Sequence, residues 1–122
     1  MVVFDTNIFI YAGQGRLELA KLDGVEACYA SVTFIETLGF HDITSVEQRK
    51  LTQILEAYRM IDLTEPIIQL AISLRQDKSM SLGDSIVAAT AIREGNTLWT
   101  ANTEDFSHIE GLNIFNPLKK AR

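Results

Sequence analysis

Four acidic side chains occupy similar places in this sequence although they are far apart along the chain. Asp5, Glu36, Asp84 and Asp105 each follow an apolar, strand-like run and precede a helix-like pattern. The carboxyl ends of parallel strands share one edge of a sheet, where such folds bind ligands, so these residues are expected to converge there. Four carboxylates in one crevice repel one another unless cations hold them together. The placement therefore predicts a metal site.

The ligand types favour a hard divalent cation over zinc. The four candidates offer only carboxylate oxygens, and the single cysteine, Cys28, lies in an apolar run that predicts burial. Oxygen ligands suit Mg²⁺ or Mn²⁺, whereas zinc sites draw on Cys and His. Such cations can clamp a phosphate and activate a water molecule, as in nucleases and phosphatases. We expect Mg²⁺, with Mn²⁺ as a substitute.

Strand-like and helix-like segments alternate along the chain, which predicts βαβ units and a mainly parallel sheet covered on both faces. The predicted strands are 2–4, 26–31, 59–63, 98–100 and 112–115, and the predicted helices are 7–12, 16–22, 34–38, 45–58, 64–74 and 82–93. The last helix is apolar on nearly all sides and is predicted to be central. With 122 residues and no linker or repeat, the chain 1–122 is expected to form a single α/β domain.

Charge and hydropathy restrict the class of protein. The net charge is −5, which argues against binding nucleic acid through a broad positive field. A bound cation would still bring positive charge to a phosphate. The basic residues Lys119, Lys120 and Arg122 are expected to be solvated at a frayed C-terminus. No apolar run approaches the roughly 18 residues of a membrane span, and no signal peptide is recognisable, so a cytoplasmic location is expected.

A simpler interpretation of the acids is helix capping, in which a short polar residue and an acid three residues later satisfy free amides at a helix start. Asp5 can itself be an N-cap. The capping pattern occurs at Thr33 and Glu36, at Ser81 and Asp84, at Asn102 and Asp105, and also at Thr44 and Glu47 and at Ser45 and Gln48. The last two pairs follow no strand-like run and are predicted to be caps alone. Capping does not predict the shared placement of the four acids, and Asp84 beside apolar Leu82 and Ile86 would be costly to bury unpaired.

Four segments of the chain resemble the four motifs of PIN-domain ribonucleases, in particular the VapC-type toxins of toxin–antitoxin pairs. They are 3–7 (VFDTN), 31–36 (SVTFIE), 82–91 (LGDSIVAATA) and 100–106 (TANTEDF). Each is weak alone, but all four in order are specific and span essentially the whole chain. The resemblance implies a three-layer α/β/α sandwich, Mg²⁺-dependent endonucleolytic cleavage of RNA, a homodimer, and inhibition by a small antitoxin whose tail lies across an apolar groove.

The resemblance also assigns roles to the acids. Asp5 and Asp84 match the first and third acids of the family and are expected to bind the more persistent metal ion. Glu36 matches the second and Asp105 the fourth. All four are predicted to be catalytic and metal-binding, with Glu36 positioning or deprotonating the attacking water.

Polar neighbours are expected to support these acids. Thr6 and Thr100 are predicted to orient a ligand or a water through their hydroxyl groups, and Asn102 to occupy a neighbouring ligand or hydrogen-bonding position. One residue departs from the family pattern, because Gly83 stands where many relatives carry Pro before the third acid. This departure is expected to loosen the helix start without preventing metal binding.

Several apolar residues admit two interpretations. They either form the groove for an antitoxin or a dimer face, or simply cover the sheet. These residues are Phe34, Leu38, Phe40, Leu51, Leu55 and Tyr58. Trp99 and Phe106 can stack on bases, although the strand position of Trp99 favours the core.

Two other classes of protein remain open. A phosphoaspartyl phosphatase or receiver-type domain also places an Asp after its first strand, but it needs a second early acid and a late Lys that this chain does not offer. A non-catalytic PIN-like module that binds RNA or a partner would be marked by loss of acids, and all four are present.

Overall fold

The computed structural model describes residues 1–118, and in it a single five-stranded sheet lies between layers of helices. The strands are β1 (Val2–Phe4), β2 (Ala27–Ala30), β3 (Arg59–Ile61), β4 (Thr97–Trp99) and β5 (Asn113–Phe115). The helices are α1 (Thr6–Gly13), α2 (Ser31–Leu38), α3 (Ser45–Glu56), α4 (Glu65–Asp77) and α5 (Leu82–Arg93), with 3₁₀ turns at Leu19–Leu22 and Thr103–Asp105. The predicted α/β sandwich with a parallel sheet is confirmed. The basic cluster of Lys119, Lys120 and Arg122 lies outside the described residues.

The strand order explains where a ligand site forms. The strands lie in the order β3, β2, β1, β4, β5, and every neighbouring pair is parallel. In the central strand β1, Val3 is in register with Cys28 on one side and Leu98 on the other, and all three are buried. The chain builds the sheet outward from β1 to β3 and then crosses to β4, so the switch point lies between β1 and β4. Crevices at such points bind ligands in open α/β sheets.

The two faces of the sheet carry separate hydrophobic cores because successive strand residues point to opposite sides. Val3 faces a core formed with α4 and α5, whereas Phe4 faces a core formed with α1 and α3. Phe106 is fully buried in the first core, and Trp99 packs against Phe4 in the second. Both aromatic rings therefore serve the core, as was favoured for Trp99.

Helix α5 is the central helix that the sequence predicts. Residues 85–91 are all buried, and the alanines Ala88, Ala89 and Ala91 have no exposed surface. Their small side chains let the helix contact β1, β2 and β4 closely. Among the helices of residues 1–118, none is both long enough and apolar enough to cross a membrane.

Three expectations about individual segments are wrong. The predicted helix over 16–22 is only the 3₁₀ turn at Leu19–Leu22. The spacing of apolar residues over 45–58 predicts that Val46 faces inward, but Val46 is 66% exposed. Leu82 was expected to be an apolar neighbour that helps to bury Asp84, but Leu82 is 61% exposed. The inward face of α5 begins one turn later, at Ser85.

Candidate active site

Asp5 lies at the switch point between β1 and β4. It directly follows β1 and caps α1, with its Oδ1 accepting a hydrogen bond from the Thr6 backbone N–H at 2.8 Å. Its Oδ2 accepts from the Thr100 hydroxyl, which follows β4, at 2.7 Å. Only 5% of Asp5 is exposed. The carboxylate is therefore fixed from both strands, and the roles predicted for Asp5 as a cap and for Thr100 as its support agree with these contacts.

Asn7 also supports Asp5, and the sequence reasoning missed this role. Its Nδ2 lies 3.2 Å from Asp5 Oδ2, and its Oδ1 accepts from the Ala101 backbone N–H at 3.1 Å. The side chain thus joins the start of α1 to the loop after β4. The sequence feature that could have indicated this role is an amide residue two positions after the acid, directly before the apolar run Ile8–Ile10.

Asp84 occupies the first turn of α5. The Ser81 hydroxyl accepts a hydrogen bond from the Asp84 backbone N–H at 3.1 Å, so the predicted N-cap is confirmed. The helix begins at Leu82, directly after its cap, with Gly83 in the first turn. The apolar run before Asp84 is not a strand, because α4 and a short loop precede α5. Asp84 reaches the sheet edge through the packing of α5, and it is half-buried.

Glu36 reaches the site from α2. Its Oε1 accepts from the Thr6 hydroxyl at 2.7 Å, so the predicted support by Thr6 agrees with this contact. The predicted cap at Thr33 is wrong, because α2 begins at Ser31 with Ala30 as N-cap. Thr33 is fully buried instead, and its hydroxyl oxygen lies 3.1 Å from that of Thr6.

Asp105 approaches from the 3₁₀ turn after β4 and is exposed. Asn102 precedes this turn, but its side chain makes no capping bond, so the predicted cap at Asn102 is also wrong. The Asn102 backbone N–H instead donates to the Thr100 hydroxyl oxygen at 3.0 Å. Of the four acids, only Asp5 and Asp84 therefore lie both at a capped helix start and in the crevice.

The pKa values of the two more buried acids show that the carboxylates influence one another. Burial raises the pKa of Asp5 to about 6; hydrogen bonds from Thr100 and Thr6 oppose this rise, and the charges of Asp84 and Glu36 add to it. Burial also raises the pKa of Asp84, as do the charges of Asp105 and Glu36. The structure therefore brings all four predicted acids to one edge of the sheet, where like charges disfavour ionisation.

The donor set fits a hard divalent cation. In the part of the chain that is described, no three acidic, His or Cys side chains are arranged as a ready-made metal cluster. Mg²⁺ does not need one, since it keeps several waters and binds through one or two carboxylates together with substrate phosphates. A cation beside the Asp5 carboxylate would offset both its burial and the nearby charge of Asp84. Asp5 and Asp84 are thus the pair that fits such an ion.

Residues 2–112 match the model of the PIN domain family, so the chain belongs to that family. This confirms the resemblance carried by the four motifs. No curated protein matches the chain.

Solved structures with the same fold include a chain of a toxin–antitoxin complex. A chain of the toxin–antitoxin complex from Klebsiella pneumoniae is 26% identical, with a TM-score of 0.78 and with 96% of this chain and 98% of that chain covered. A chain of VapBC2 from Rickettsia felis, bound to a DNA fragment from its promoter, is 23% identical with a TM-score of 0.83, covering 95% and 98%. A chain of FitAcB from Neisseria gonorrhoeae is 24% identical with a TM-score of 0.75, covering 98% and 100%.

Proposed function

We propose that this PIN-domain protein is a Mg²⁺-dependent endoribonuclease and the toxin of a VapC-type toxin–antitoxin pair, acting in the cytoplasm. The observation that carries the proposal is the convergence of Asp5, Glu36, Asp84 and Asp105 at the β1–β4 switch point. Burial and like charge raise the pKa of Asp5 to about 6 there. A protein gains nothing in stability from such repulsion, and perturbed acids in a crevice are typical of functional sites.

Asp5 and Asp84 would hold the metal ion, and Asp105 would complete its environment from the opposite loop. When bound, Mg²⁺ or Mn²⁺ neutralises charge on the scissile phosphate and makes water more acidic. Thr100 and Asn7 keep the Asp5 carboxylate in place through bonds of 2.7 and 3.2 Å to its Oδ2. These contacts fix the ligand before any ion arrives, which is how outer partners tune metal sites.

Glu36 would act on the attacking water. It is exposed, so its carboxylate reaches solvent, while the Thr6 hydroxyl holds Oε1 at 2.7 Å. In this role Glu36 accepts a proton from water as the water attacks the phosphorus in line. The 3′-oxygen leaves, and the product carries a 5′-phosphate. No 2′-hydroxyl takes part in this chemistry, so the choice of RNA over DNA rests on the resemblance to PIN-domain ribonucleases.

Two apolar grooves support the proposed protein partners. One groove of about 420 Å³ lies between α1 and α3 and is lined by Ile10, Phe40, Val46 and Leu51 among others. It includes two of the residues predicted for an antitoxin groove, whereas Leu55 is fully buried and serves the core. We assign this groove to the antitoxin tail.

The second groove has about 800 Å³ and lies between α4 and the start of α5. Its exposed apolar residues are Leu63, Ile68, Ile72 and Leu82. We assign this face to a homodimer contact, because exposed apolar patches of this kind mark protein interfaces.

The test is cleavage of a panel of structured RNAs by wild type and by Asp5→Asn, with Mg²⁺ and with EDTA. We expect cleavage by the wild type only with Mg²⁺, and a loss of at least about 100-fold in the variant, since even outer partners of metal ligands are worth 10- to 100-fold. The matched control is Glu56→Gln, which removes an exposed carboxylate at the end of α3, before β3 begins. Its cleavage rate should equal that of the wild type.

Cleavage that persists in EDTA, or a fully active Asp5→Asn variant, contradicts the proposal. RNA binding without cleavage by the wild type would instead indicate a non-catalytic PIN module.

A further inference from the structure

We infer that Gly83 is a positioning residue that gives the Glu36 carboxylate its place against α5. A Cβ atom added to Gly83 would lie 2.7 Å from Glu36 Oε2 and 3.3 Å from its Cδ. Real Cβ atoms essentially never approach an oxygen so closely. With the backbone of this chain, an alanine side chain at position 83 would therefore displace the Glu36 carboxylate. This inference rests on the proposed function, in which Glu36 acts on water.

The backbone does not explain why glycine stands at this position. Gly83 lies within the first turn of α5, and it is not among the residues of positive φ. Alanine is a better helix former than glycine and would adopt this conformation without strain. The reason for glycine is therefore found outside the helix, in the contact with Glu36 of the neighbouring helix α2.

Gly83 and Thr6 hold Glu36 from two sides. Thr6 Oγ1 lies 2.7 Å from Glu36 Oε1 and 3.1 Å from Thr33 Oγ1. A carboxylate can only accept, so the single Thr6 hydroxyl proton goes to Glu36 and the buried Thr33 hydroxyl donates to Thr6. Oε1 is thus bound, and Oε2 lies against the glycine. The exposed Glu36 side chain is in this way placed between α1 and α5, and a base that must meet a water needs such placement.

The experiment compares Gly83→Ala with the wild type in three measurements. Mg²⁺-dependent RNA cleavage should fall by about 10- to 100-fold in kcat, the range found when outer partners of metal-site residues are changed, with KM unchanged. The melting temperature should be unchanged or higher, because alanine favours the helix. A crystal structure of the variant should show the Glu36 carboxylate displaced and its bond to Thr6 lost. A residue with only a structural role would lower the melting temperature instead.

The control for general overpacking is Gly13→Ala. Gly13 is the last residue of α1, and an added Cβ there would meet the Leu51 side chain at 2.6 Å rather than a carboxylate. Its cleavage rate should match that of the wild type. A second control is a double-mutant cycle with Glu36→Ala. In the Glu36→Ala background, Gly83→Ala should cause no further loss of cleavage, because the carboxylate that it would displace is absent.

The inference is overturned if Gly83→Ala keeps full activity, or if it lowers activity equally with and without Glu36. It is also overturned if Glu36 does not move in the crystal structure of the variant. Failure of the proposed function is recognised separately, since the wild type would then not cleave RNA with Mg²⁺. The displacement of Glu36 would still be visible in the crystal structure.

Discussion

The starts of α3 and α5 carry the same local sequence pattern but differ in what surrounds them. At α3, Thr44 and Glu47 form a complete capping box, with the Thr44 side chain accepting from the Glu47 N–H and Glu47 accepting from the Thr44 N–H. At α5, the Ser81 side chain accepts from the Asp84 N–H, and in the described residues Asp84 makes no return bond to the Ser81 backbone. Glu47 ends in solvent, whereas Asp84 faces Glu36 and Asp105.

The pKa shifts of the two acids have opposite signs for this reason. Hydrogen bonds from Thr44 hold the pKa of Glu47 below its usual value. Burial and the charges of Asp105 and Glu36 raise the pKa of Asp84. An acid that only caps is stabilised in its charged form, and an acid in the crevice is destabilised in it. The capping pattern therefore marks a helix start, and only the tertiary surroundings of the acid decide its use.

The two helix starts should differ most in their effect on activity. Asp84→Asn should lower Mg²⁺-dependent RNA cleavage by at least about 100-fold, because it removes a carboxylate proposed to hold the metal ion. Glu47→Gln, the same chemical change at the other helix start, should leave the rate unchanged. Single-turnover kinetics on one RNA substrate measure both. Equal rates in the two variants would show that Asp84 is a cap and nothing more.

A smaller effect separates the caps themselves. Ser81→Ala and Thr44→Ala each remove one capping hydroxyl, and each should lower the free energy of unfolding by about 1 kcal/mol. Only Ser81→Ala should also lower cleavage, by about 10-fold, because the first turn of α5 aims Asp84 into the crevice. Urea unfolding and cleavage assays on the same samples test this. A loss of activity in Thr44→Ala equal to that in Ser81→Ala would mean that stability alone controls the rate.

Much of this fold follows from the sequence, and the limits of prediction have physical causes. The helix over 82–93 was predicted with its final bounds, because a largely apolar run between Ser81 and Gly95 has few alternatives. The meeting of Asp5 and Asp105 at one edge follows from the parallel pairing of β1 and β4, whereas Glu36 and Asp84 reach that edge through α2 and α5. In contrast, the contact between Gly83 and Glu36 depends on how α2 and α5 lie side by side, which no local pattern encodes.

Errors arose where one pattern serves several structures. Thr33 resembles a cap in sequence, but α2 begins two residues earlier and buries it. The sequence motif around Asn7 does not reveal its role, because the side chain joins Asp5 to Ala101, which lies 94 residues from Asn7 along the chain. Such a partner becomes apparent only once β1 and β4 are neighbours.

The smallest expected effect is a difference in how stability depends on pH in metal-free protein. The lowered pKa of Glu47 means that its contribution to stability is complete above the ordinary value of 4.5 and is lost as the pH falls through the folded-state pKa. The raised pKa of Asp84 has the opposite sign. The folded state then binds the proton more tightly, so Asp84 destabilises the protein at neutral pH and this penalty disappears as the pH falls toward 3.8.

Melting temperatures measured in EDTA from pH 3 to pH 8 test these signs. At pH 7, Glu47→Gln should melt below the wild type and Asp84→Asn above it. As the pH falls, the advantage of Asp84→Asn should shrink in the range above 3.8, and the deficit of Glu47→Gln should shrink in the range below 4.5. If Asp84→Asn melts below the wild type at pH 7, the Asp84 carboxylate stabilises its helix as Glu47 does. The two helix starts would then be physically alike, and the case for a strained carboxylate at α5 would fail.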